Sequence, residues 1–233
     1  MTTTLHSAIQ ALLSSTVLDP HHEMHKPARP VITLSRDHGA LGRQVALGLS
    51  QRLGVPVYDR EILDKVAERL DTDPQTLKML DECVARARDM WLVRLFTGKE
   101  LTEDAYRTQL VNVILSLGRV GGIILGRGAN VILSTSCALR VRITASPEVC
   151  LQRVMARHHL GEAEARAQIE EINANRGRFV WELFHRRNSD ATSFDLVINT
   201  DRFADAEPVV DLIEQAYRTL EKQAVAESTK EPV

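Results

Sequence analysis

Short apolar segments alternate with longer segments of helical periodicity from residue 31 to residue 224 of this 233-residue chain. The apolar segments have the length of strands and cover residues 31–35, 55–59, 122–126, 139–144 and 194–199. The helical patterns cover residues 43–53, 60–70, 74–117, 147–158, 162–187 and 205–224. Because parallel strands need long crossover connections, this alternation predicts an α/β fold with a five-stranded parallel sheet and helices on both faces. Ligands of such sheets bind beyond the carboxyl ends of the strands.

Charge and cysteine content exclude several classes of protein. Lys and Arg total 29 against 31 Asp and Glu, a formal net charge of -2, which argues against a broad basic surface for nucleic acid or anionic membrane. No run of about 18 apolar residues occurs, so we expect neither a membrane span nor an export signal. Cys83, Cys137 and Cys150 are odd in number and form no CxxC motif, which favours a reduced, cytoplasmic protein.

The chain divides into three parts. Residues 1–29 form an extension, in which a short amphipathic helix with apolar positions from Leu5 to Leu13 precedes a proline-rich linker. The linker histidines, His21, His22 and His25, have no cysteine or carboxylate cluster beside them, so we favour a solvated linker over a metal site. The principal domain covers residues 30–225, and a polar tail covers residues 226–233.

A glycine-bearing turn connects the first strand to the first helix of the domain. Such a turn at a helix N-terminus presents backbone N–H groups to phosphate. Against the P-loop pattern GxxxxGK[ST], Gly42 fills the second glycine and Arg43 stands in the lysine position, whereas Asp37 replaces the first glycine and Gln44 replaces the hydroxyl residue. The motif alone fits an ordinary strand–turn–helix connection equally well, and the flanking Arg36 and Arg43 favour an anion site.

Two further strand ends carry candidate binding residues. Asp59 follows the second strand, where it can cap the next helix, or hold a sugar hydroxyl or polarise an acceptor, and we favour the cap. Arg127 lies between Gly126 and Gly128 after the third strand, where it can bind phosphate or pair with a buried carboxylate. We rank phosphate binding slightly ahead at Arg127. Asn199 begins a polar turn after the fifth strand, which is either a base-binding segment or a helix cap.

Arginines recur along residues 151–187. They are Arg153, Arg157, Arg166, Arg176, Arg178, Arg186 and Arg187. Most arginines on a helix belong to a solvated face, often paired with carboxylates four residues away. Phosphoryl transfer also needs cations around the developing charge and exclusion of water, which an Arg-bearing lid supplies.

In order and spacing, these pieces resemble the cytidylate kinase-like family of P-loop kinases. The segments that carry the resemblance are ITLSR at 32–36 with Gly39, Gly42 and Arg43, VYD at 57–59, IILGRGANVI at 123–132, VRITA at 141–145 with Arg153, and DLVINTDR at 195–202. The resemblance extends from about residue 30 to about residue 206. It implies a three-layer P-loop kinase fold, with a helical monophosphate-binding insert at 72–118 and an Arg-rich lid at 151–187.

The resemblance also implies a reaction and its site. ATP, with Mg²⁺, would donate its γ-phosphoryl group to a nucleoside monophosphate, CMP or dCMP. Independently of the resemblance, the N-terminal helix can pack on the core or on a second subunit, so a homodimer is a candidate assembly. The nucleotide-binding residues would be Ser35, Arg36, Gly39, Ala40, Leu41, Gly42, Arg43 and Gln44. Asp59 and Arg127 would bind the acceptor. The catalytic residues would be Arg43, Arg153, Arg157 and Arg176.

The chain departs from well-characterised cytidylate kinases at the loop. These enzymes carry Lys where Arg43 stands and a hydroxyl residue just after it, where this chain has Gln44 and Val45. Ser35 and Asp37 are then the remaining candidates to hold Mg²⁺. A second hypothesis is therefore a non-catalytic sensor of a nucleotide or other phosphorylated ligand. A dinucleotide-dependent redox enzyme is a weaker third hypothesis, because the GxGxxG fingerprint is absent after the first strand.

Overall fold

The computed structural model describes residues 8, 29–72, 105–133 and 138–228. In chain order, the elements of these ranges are β1 (Val31–Arg36), α1 (Gly42–Leu53), β2 (Val57–Tyr58), α2 (Arg60–Thr72), α3 (Ala105–Val120), β3 (Gly122–Leu125), α4 (Ala129–Ile132), β4 (Leu139–Thr144), α5 (Pro147–His158), α6 (Glu162–Phe184), β5 (Leu196–Asn199) and α7 (Glu207–Ser228). A single 3₁₀ turn, Ala191–Ser193, precedes β5.

Within the described residues, the five strands form one parallel sheet in the order β2-β3-β1-β4-β5. The central strand β1 pairs with β3 on one side and β4 on the other, so that Ile32 lies opposite both Ile123 and Leu139. The chain therefore leaves β1 toward one edge for β2 and β3, and later fills the other edge with β4 and β5. This confirms the predicted parallel sheet and makes the carboxyl end of β1 the topological switch point.

Apolar side chains cover both faces of the sheet. On one face, alternate residues of β1 and β4 such as Leu34 and Val141 pack against α1 and α7, in a cluster that includes Leu49 and Ile213. On the other face, a second cluster joins the sheet to α2, α3, α4 and the end of α6, where Phe184 is buried. Full burial of one such side chain contributes about 1.5–3 kcal/mol. These two clusters produce the helix–sheet–helix layering expected from the sequence.

Local signals set the helix limits close to the site. Ser146 caps α5, since its Oγ accepts a hydrogen bond from the Val149 N–H at 3.4 Å, and Pro147 occupies the first turn. The helix expected to end at residue 187 ends instead at Phe184, because His185 adopts a left-handed conformation (φ 50°). The N–H of His185 donates to the Trp181 carbonyl at 2.9 Å, which closes the helix and turns the chain back toward the sheet.

Several boundaries differ from the sequence expectation. The second strand is only two residues long because neighbouring groups bond elsewhere: the Val55 N–H donates to the Ser50 carbonyl at 3.3 Å, and Pro56 has no N–H to donate. The short helix α4 was not predicted. Of the expected N-terminal helix, only residue 8 is described, and Ala8 is buried in the cluster that contains Phe184.

Other expected parts lie partly outside the described residues. The expected helical region over 74–117 is described only from Ala105, where α3 begins, and the tail is described only to residue 228. In the described ranges, every helix is too short or too polar to cross a bilayer.

Candidate functional site

A cleft of about 720 Å³, here called the main cleft, opens at the carboxyl end of β1. Its lining comes from the loop after β1, the start of α2, the end of α5 and the middle of α6, and consists of Arg36, Asp37, His38, Gly39, Leu41, Gly42, Arg43, Gln44, Asp59, Arg60, Glu61, Asp64, Lys65, Leu125, Arg157, His158 and Arg176. Polar residues that follow β1 and β2 therefore meet at the switch point, whereas Arg127 after β3 and Asn199 after β5 are not part of this lining.

The loop between β1 and α1 is tightly constrained. Gly39 has φ +90°, and a Cβ there would lie 2.8 Å from the Cα of Cys150, so α5 packs directly on the loop backbone. Leu41 is also left-handed, with φ 65°, a conformation that costs a residue with a side chain about 1–2 kcal/mol. As the N-cap of α1, Leu41 has no polar side-chain atom with which to cap the helix. The first-turn N–H groups of α1 thus gain no cap from that position.

Arg36 fills the space between two glycines. A Cβ at Gly42 would lie 2.6 Å from the Cβ of Arg36, and a Cβ at Gly126 would lie 2.6 Å from its Nη1. Burial, followed by the positive charges of Arg176, Arg43 and Arg127, lowers the pKa of Arg36 to about 9, although Asp59 opposes the shift. The surroundings of Arg36 therefore contain more positive than negative charge.

Three of the four arginines expected to be catalytic line the main cleft. Arg176 reaches in from α6 and donates from Nη1 to the Arg36 carbonyl at 3.1 Å. Burial is the main cause of a lowered pKa at Arg176, and Asp37 partly offsets it. Arg43, at the start of α1, and Arg157, at the end of α5, complete the set on exposed positions of the lining.

The fourth, Arg153, is not part of the lining and forms a structural cross-link. Its guanidinium donates to the Thr200 Oγ1 at 2.9 Å, to the Thr200 carbonyl at 2.8 Å, and to the Phe203 carbonyl at 2.7 Å. A longer contact of 3.5 Å reaches the Gly39 carbonyl. Arg153 thus joins α5 to the segment after β5 and to the loop after β1.

Asp59 caps α2 and also lines the main cleft. Its Oδ1 accepts a hydrogen bond from the Ile62 N–H at 3.2 Å, which is the capping interaction expected from its position. The same carboxylate raises the pKa of Arg36, so it lies close enough to act on the buried cation. The capping and cleft-facing interpretations are therefore compatible.

Arg127 lies in a side cavity of about 420 Å³, here called the amide cavity because Asn130, Asn175 and Asn188 line it. The guanidinium of Arg127 forms an ion pair with Asp64 and lies 4.1 Å from the centre of the Phe179 ring. The structural pairing that the sequence left open is thus present. Arg36 and Arg176 line both the amide cavity and the main cleft, so the two spaces adjoin at these arginines.

The two candidates for holding Mg²⁺ are engaged with Arg142. Asp37 Oδ1 accepts from Arg142 Nη2 at 2.7 Å, and its Oδ2 accepts from Thr144 Oγ1 at 2.5 Å. Ser35 Oγ accepts from Arg142 Nη1 at 3.2 Å. No group of three or more His, Cys, Asp or Glu in the described ranges could hold a metal ion. These residues do not fit a Mg²⁺ site.

Sequence analysis did not identify His38 as a site residue, although it lies within the loop. Its backbone N–H donates to the Asn173 Oδ1 at 2.9 Å, and its Nε2 is buried without a partner among the described residues. Burial, then the charges of Arg176, His158 and other nearby arginines, lowers the pKa of His38 below 6.5, so the ring is neutral at pH 7. The strand–loop motif indicated that His38 lies in the loop after β1, but nothing in the motif indicated that its side chain is buried.

The sheet order and the glycine-bearing loop at the switch point define an α/β fold with a five-stranded parallel sheet. A solved structure of an uncharacterised protein from Eubacterium ventriosum matches it with a TM-score of 0.62 at 20% identity, covering 82% of this chain and 99% of that one. Shikimate kinases from Bacteroides thetaiotaomicron and Acinetobacter baumannii align with TM-scores of 0.44 and 0.43, at 16% and 18% identity, over 82% of this chain and 99% and 94% of theirs.

The profile of the cytidylate kinase-like family matches residues 31–202. The chain belongs to this family, which confirms the resemblance drawn from its segments. No curated protein matches the sequence significantly.

Proposed function

We propose that this protein is an ATP-dependent phosphotransferase whose acceptor is a small phosphorylated molecule, with CMP or dCMP as the candidates that the family favours. The observation that carries the proposal is the surplus of positive charge around Arg36, the last residue of β1. A cation with a pKa of about 9, held among Arg176, Arg43 and Arg127, gains stability when an anion enters. A chain of linked phosphate groups is an anion that several neighbouring guanidinium groups can bind together.

The donor phosphates would lie against the loop and the first turn of α1. The N–H groups of Asp37, His38 and Ala40 already donate to the Ile143 carbonyl, the Asn173 Oδ1 and the Asp37 carbonyl, so the first turn of α1 would supply the N–H groups. Arg43 takes the position of the P-loop lysine. Arg157, across the main cleft on α5, would act on the same phosphates from the opposite wall. In this assignment Gly39, Leu41 and Gly42 act through their backbone, and Ala40 shapes the loop, since its N–H donates to the Asp37 carbonyl at 3.3 Å.

The acceptor would occupy the amide cavity. Amide side chains donate to and accept from the polar edges of a base or sugar, and Arg127 adds positive charge near its phosphate. Asp59, on the adjoining wall of the main cleft, would hold a hydroxyl. Because Arg36 and Arg176 line both spaces, the transferring group would pass between these two guanidinium groups. Arg153 has no part in this assignment, since it binds carbonyls elsewhere.

A metal ion has no place in the assignment, because Asp37 and Ser35 are bound to Arg142. The arginines would instead stabilise the charge that develops on the transferring group. This same observation favours the second candidate function, a sensor that binds a phosphorylated ligand without turnover.

A coupled assay with ATP and a panel of nucleoside monophosphates, with and without Mg²⁺, tests the proposal. We expect turnover with at least one acceptor and a loss of at least a hundredfold in Arg176→Ala, because removing one preorganised donor of this kind costs about 10²–10³ in kcat. Arg178→Ala is the matched control, since Arg178 lies exposed on the same helix outside the lining.

The outcomes separate the two candidate functions. Absence of turnover with every acceptor, from protein that is folded, overturns the kinase proposal. If calorimetry then shows ATP binding that does not need Mg²⁺, the sensor is supported. An Arg43→Ala variant that binds ATP as tightly as the parent contradicts both candidates.

A further inference from the structure

A third cavity, of about 430 Å³, lies along α6 next to the amide cavity. We call it the tryptophan cavity because Trp181 forms part of its wall. Asn173, Gly177 and Trp181 recur every four residues and present one stripe of α6 to it, whereas Ile172, Asn175 and Phe179 present another stripe to the amide cavity. Arg176 lies between the stripes and lines both. The size of the tryptophan cavity suits a small ligand.

The lining of the tryptophan cavity is rich in arginine. The arginines are Arg36, Arg142, Arg176, Arg186 and Arg187, and Asp37 is the one carboxylate that the described part of the chain contributes to the lining. Asp37 already pairs with Arg142. Asp190, near Arg186, accepts hydrogen bonds from the Thr192 N–H and Oγ1, at 3.0 and 2.6 Å, and does not line the cavity. A phosphate or similar anion would therefore meet several guanidinium groups with little competition from acidic side chains.

Trp181 adds a flat apolar surface to these charges. It is 49% exposed, although most large apolar side chains of the described residues are buried. The guanidinium carbon of Arg187 lies 5.9 Å from the centre of the indole ring, and the His185 ring meets it edge-on. A lone exposed aromatic residue needs no function. An exposed indole in the wall of an arginine-lined cavity, however, combines a stacking surface with phosphate ligands.

We propose that the tryptophan cavity is a second binding site, for a phosphorylated small molecule that carries a planar ring, the chemistry of a mononucleotide. The ring stacks on Trp181, and the phosphate binds Arg186, Arg187 and Arg142. Gly177 leaves the wall open, because a Cβ at that position would meet nothing within 4 Å. The inference depends on the lining of this cavity alone and holds whether or not the main cleft catalyses phosphoryl transfer.

Trp181 also provides the measurement. The chain has two tryptophans, so Trp91→Phe leaves Trp181 as the only indole. We expect CMP to change the emission of Trp181 in a saturable way, and cytidine, ribose 5-phosphate and inorganic phosphate to bind at least tenfold more weakly, since each lacks one half of the recognised chemistry. Arg186→Ala combined with Arg187→Ala weakens CMP binding at least tenfold. Both residues are exposed, so we expect the double variant to fold as the parent does.

Two controls separate this site from the other cavities. Arg178→Ala removes an exposed cation of the same helix outside all three cavities and leaves the CMP response unchanged. Arg60→Ala alters the main cleft and the amide cavity without touching the tryptophan cavity, and also leaves it unchanged.

The inference is overturned if Trp181 emission does not respond to millimolar CMP, or if the double variant binds CMP as the parent does. It is equally overturned if Arg60→Ala abolishes the response, which would locate the ligand elsewhere. Calorimetry with CMP on the chain that retains Trp91 repeats the comparison of variants without the Trp91→Phe change.

Discussion

At the scale of single residues, the site depends on a fit between Arg36 and two glycines. The Arg36 side chain passes where any Cβ at Gly42 or Gly126 would lie, so each glycine is required by space. Gly126 also has φ +86°, which a residue with a side chain rarely adopts. The loop glycines therefore serve the buried arginine as well as any ligand that approaches the backbone.

Gly42→Ala tests this fit. The new Cβ would lie 2.6 Å from both the Cβ and the Cγ of Arg36, atoms close to the backbone that cannot swing away. We expect a loss of about 1–3 kcal/mol in the free energy of unfolding, measured in urea, together with weaker ATP binding. Gly177→Ala is the control, because its Cβ would meet nothing within 4 Å and alanine favours a helix interior. Equal stability of Gly42→Ala and the parent would contradict the described position of Arg36.

His38 gives a prediction about pH. Its pKa is lowered in the folded protein from the usual 6.5, so the unfolded chain binds more protons at this residue when the solution is acidic. Stability is therefore fully retained above pH 6.5 and is lost as the pH falls below it. We expect His38→Gln to reduce the difference in unfolding free energy between about pH 7.5 and about pH 5.5. Urea titrations at the two pH values would measure this difference.

The exposed His159 provides the comparison for His38. His159→Gln should retain the acid sensitivity of the parent. If both substitutions leave the same acid sensitivity, the buried imidazole is not its source.

At the scale of elements, two helices that follow β4 have different tasks. Helix α5 is bound to the sheet through Arg153, whose acceptors belong to the segment after β5. Helix α6 crosses the strand ends and supplies Arg176 to all three cavities. Arg153 on α5 thus has a structural role, whereas Arg176 in the middle of α6 lines the three cavities.

Arg153→Ala tests the structural role. It removes hydrogen bonds from a charged donor to the Thr200 and Phe203 carbonyls, each of which lies between 2.7 and 2.8 Å away. We expect the unfolding free energy to fall by about 2–3 kcal/mol. Arg178→Ala, on the exposed face of α6, should change it by less than about 0.5 kcal/mol. A fully stable Arg153→Ala that has lost only catalysis would instead assign Arg153 to the site.

At the scale of the whole molecule, the net charge of the chain and the net charge of the main cleft have opposite signs. The chain carries a formal net charge of -2, yet the lining of the main cleft has six Arg and Lys side chains against four Asp and Glu side chains. The acidic surplus must therefore lie elsewhere, and the cleft attracts anions in spite of the overall sign. Such attraction weakens as salt screens the charges.

Metal-free pyrophosphate should stabilise the whole protein. At about a hundred times its Kd it adds about 2.7 kcal/mol, which raises Tm by roughly 5–10 °C for a chain of this size. We expect the shift at low ionic strength, and a clear reduction at about 0.5 M NaCl. Arg43→Ala should reduce the shift, whereas Arg178→Ala should retain it, in a thermal melt followed by circular dichroism. A shift that is independent of Arg43 would place the anion outside the main cleft.

The sequence predicted what depends on local pattern. Alternating apolar and helical segments gave the parallel sheet, Ser146 marked the start of α5, and the turn at Gly42 indicated where the strand ends meet. Spacing along a chain does not encode which strands become neighbours. The order with β1 at the centre therefore required the structure.

Partners that are distant in sequence also escaped prediction. Asp37 and Arg142 are 105 residues apart, and no local motif connects them. The acceptors of Arg153 include main-chain carbonyls, which every residue has, so no residue type announces them. Arg140, Arg142 and Thr144 alternate with apolar residues along β4, and such alternation predicts a strand but not the partners of its polar side chains. For these reasons the candidate loop was recognisable, whereas the roles of individual arginines were not.

Helix α6 is anchored at both ends. Near its start Ala165 is buried against α5, and near its end Phe184 is buried in the core, where it fills the space beside Gly128. Because both ends of α6 are packed against other elements, we expect the helix to stay in place rather than to open as a hinged lid. We therefore expect ligands to enter and leave along the sides of α6, past Arg176, which lines all three cavities.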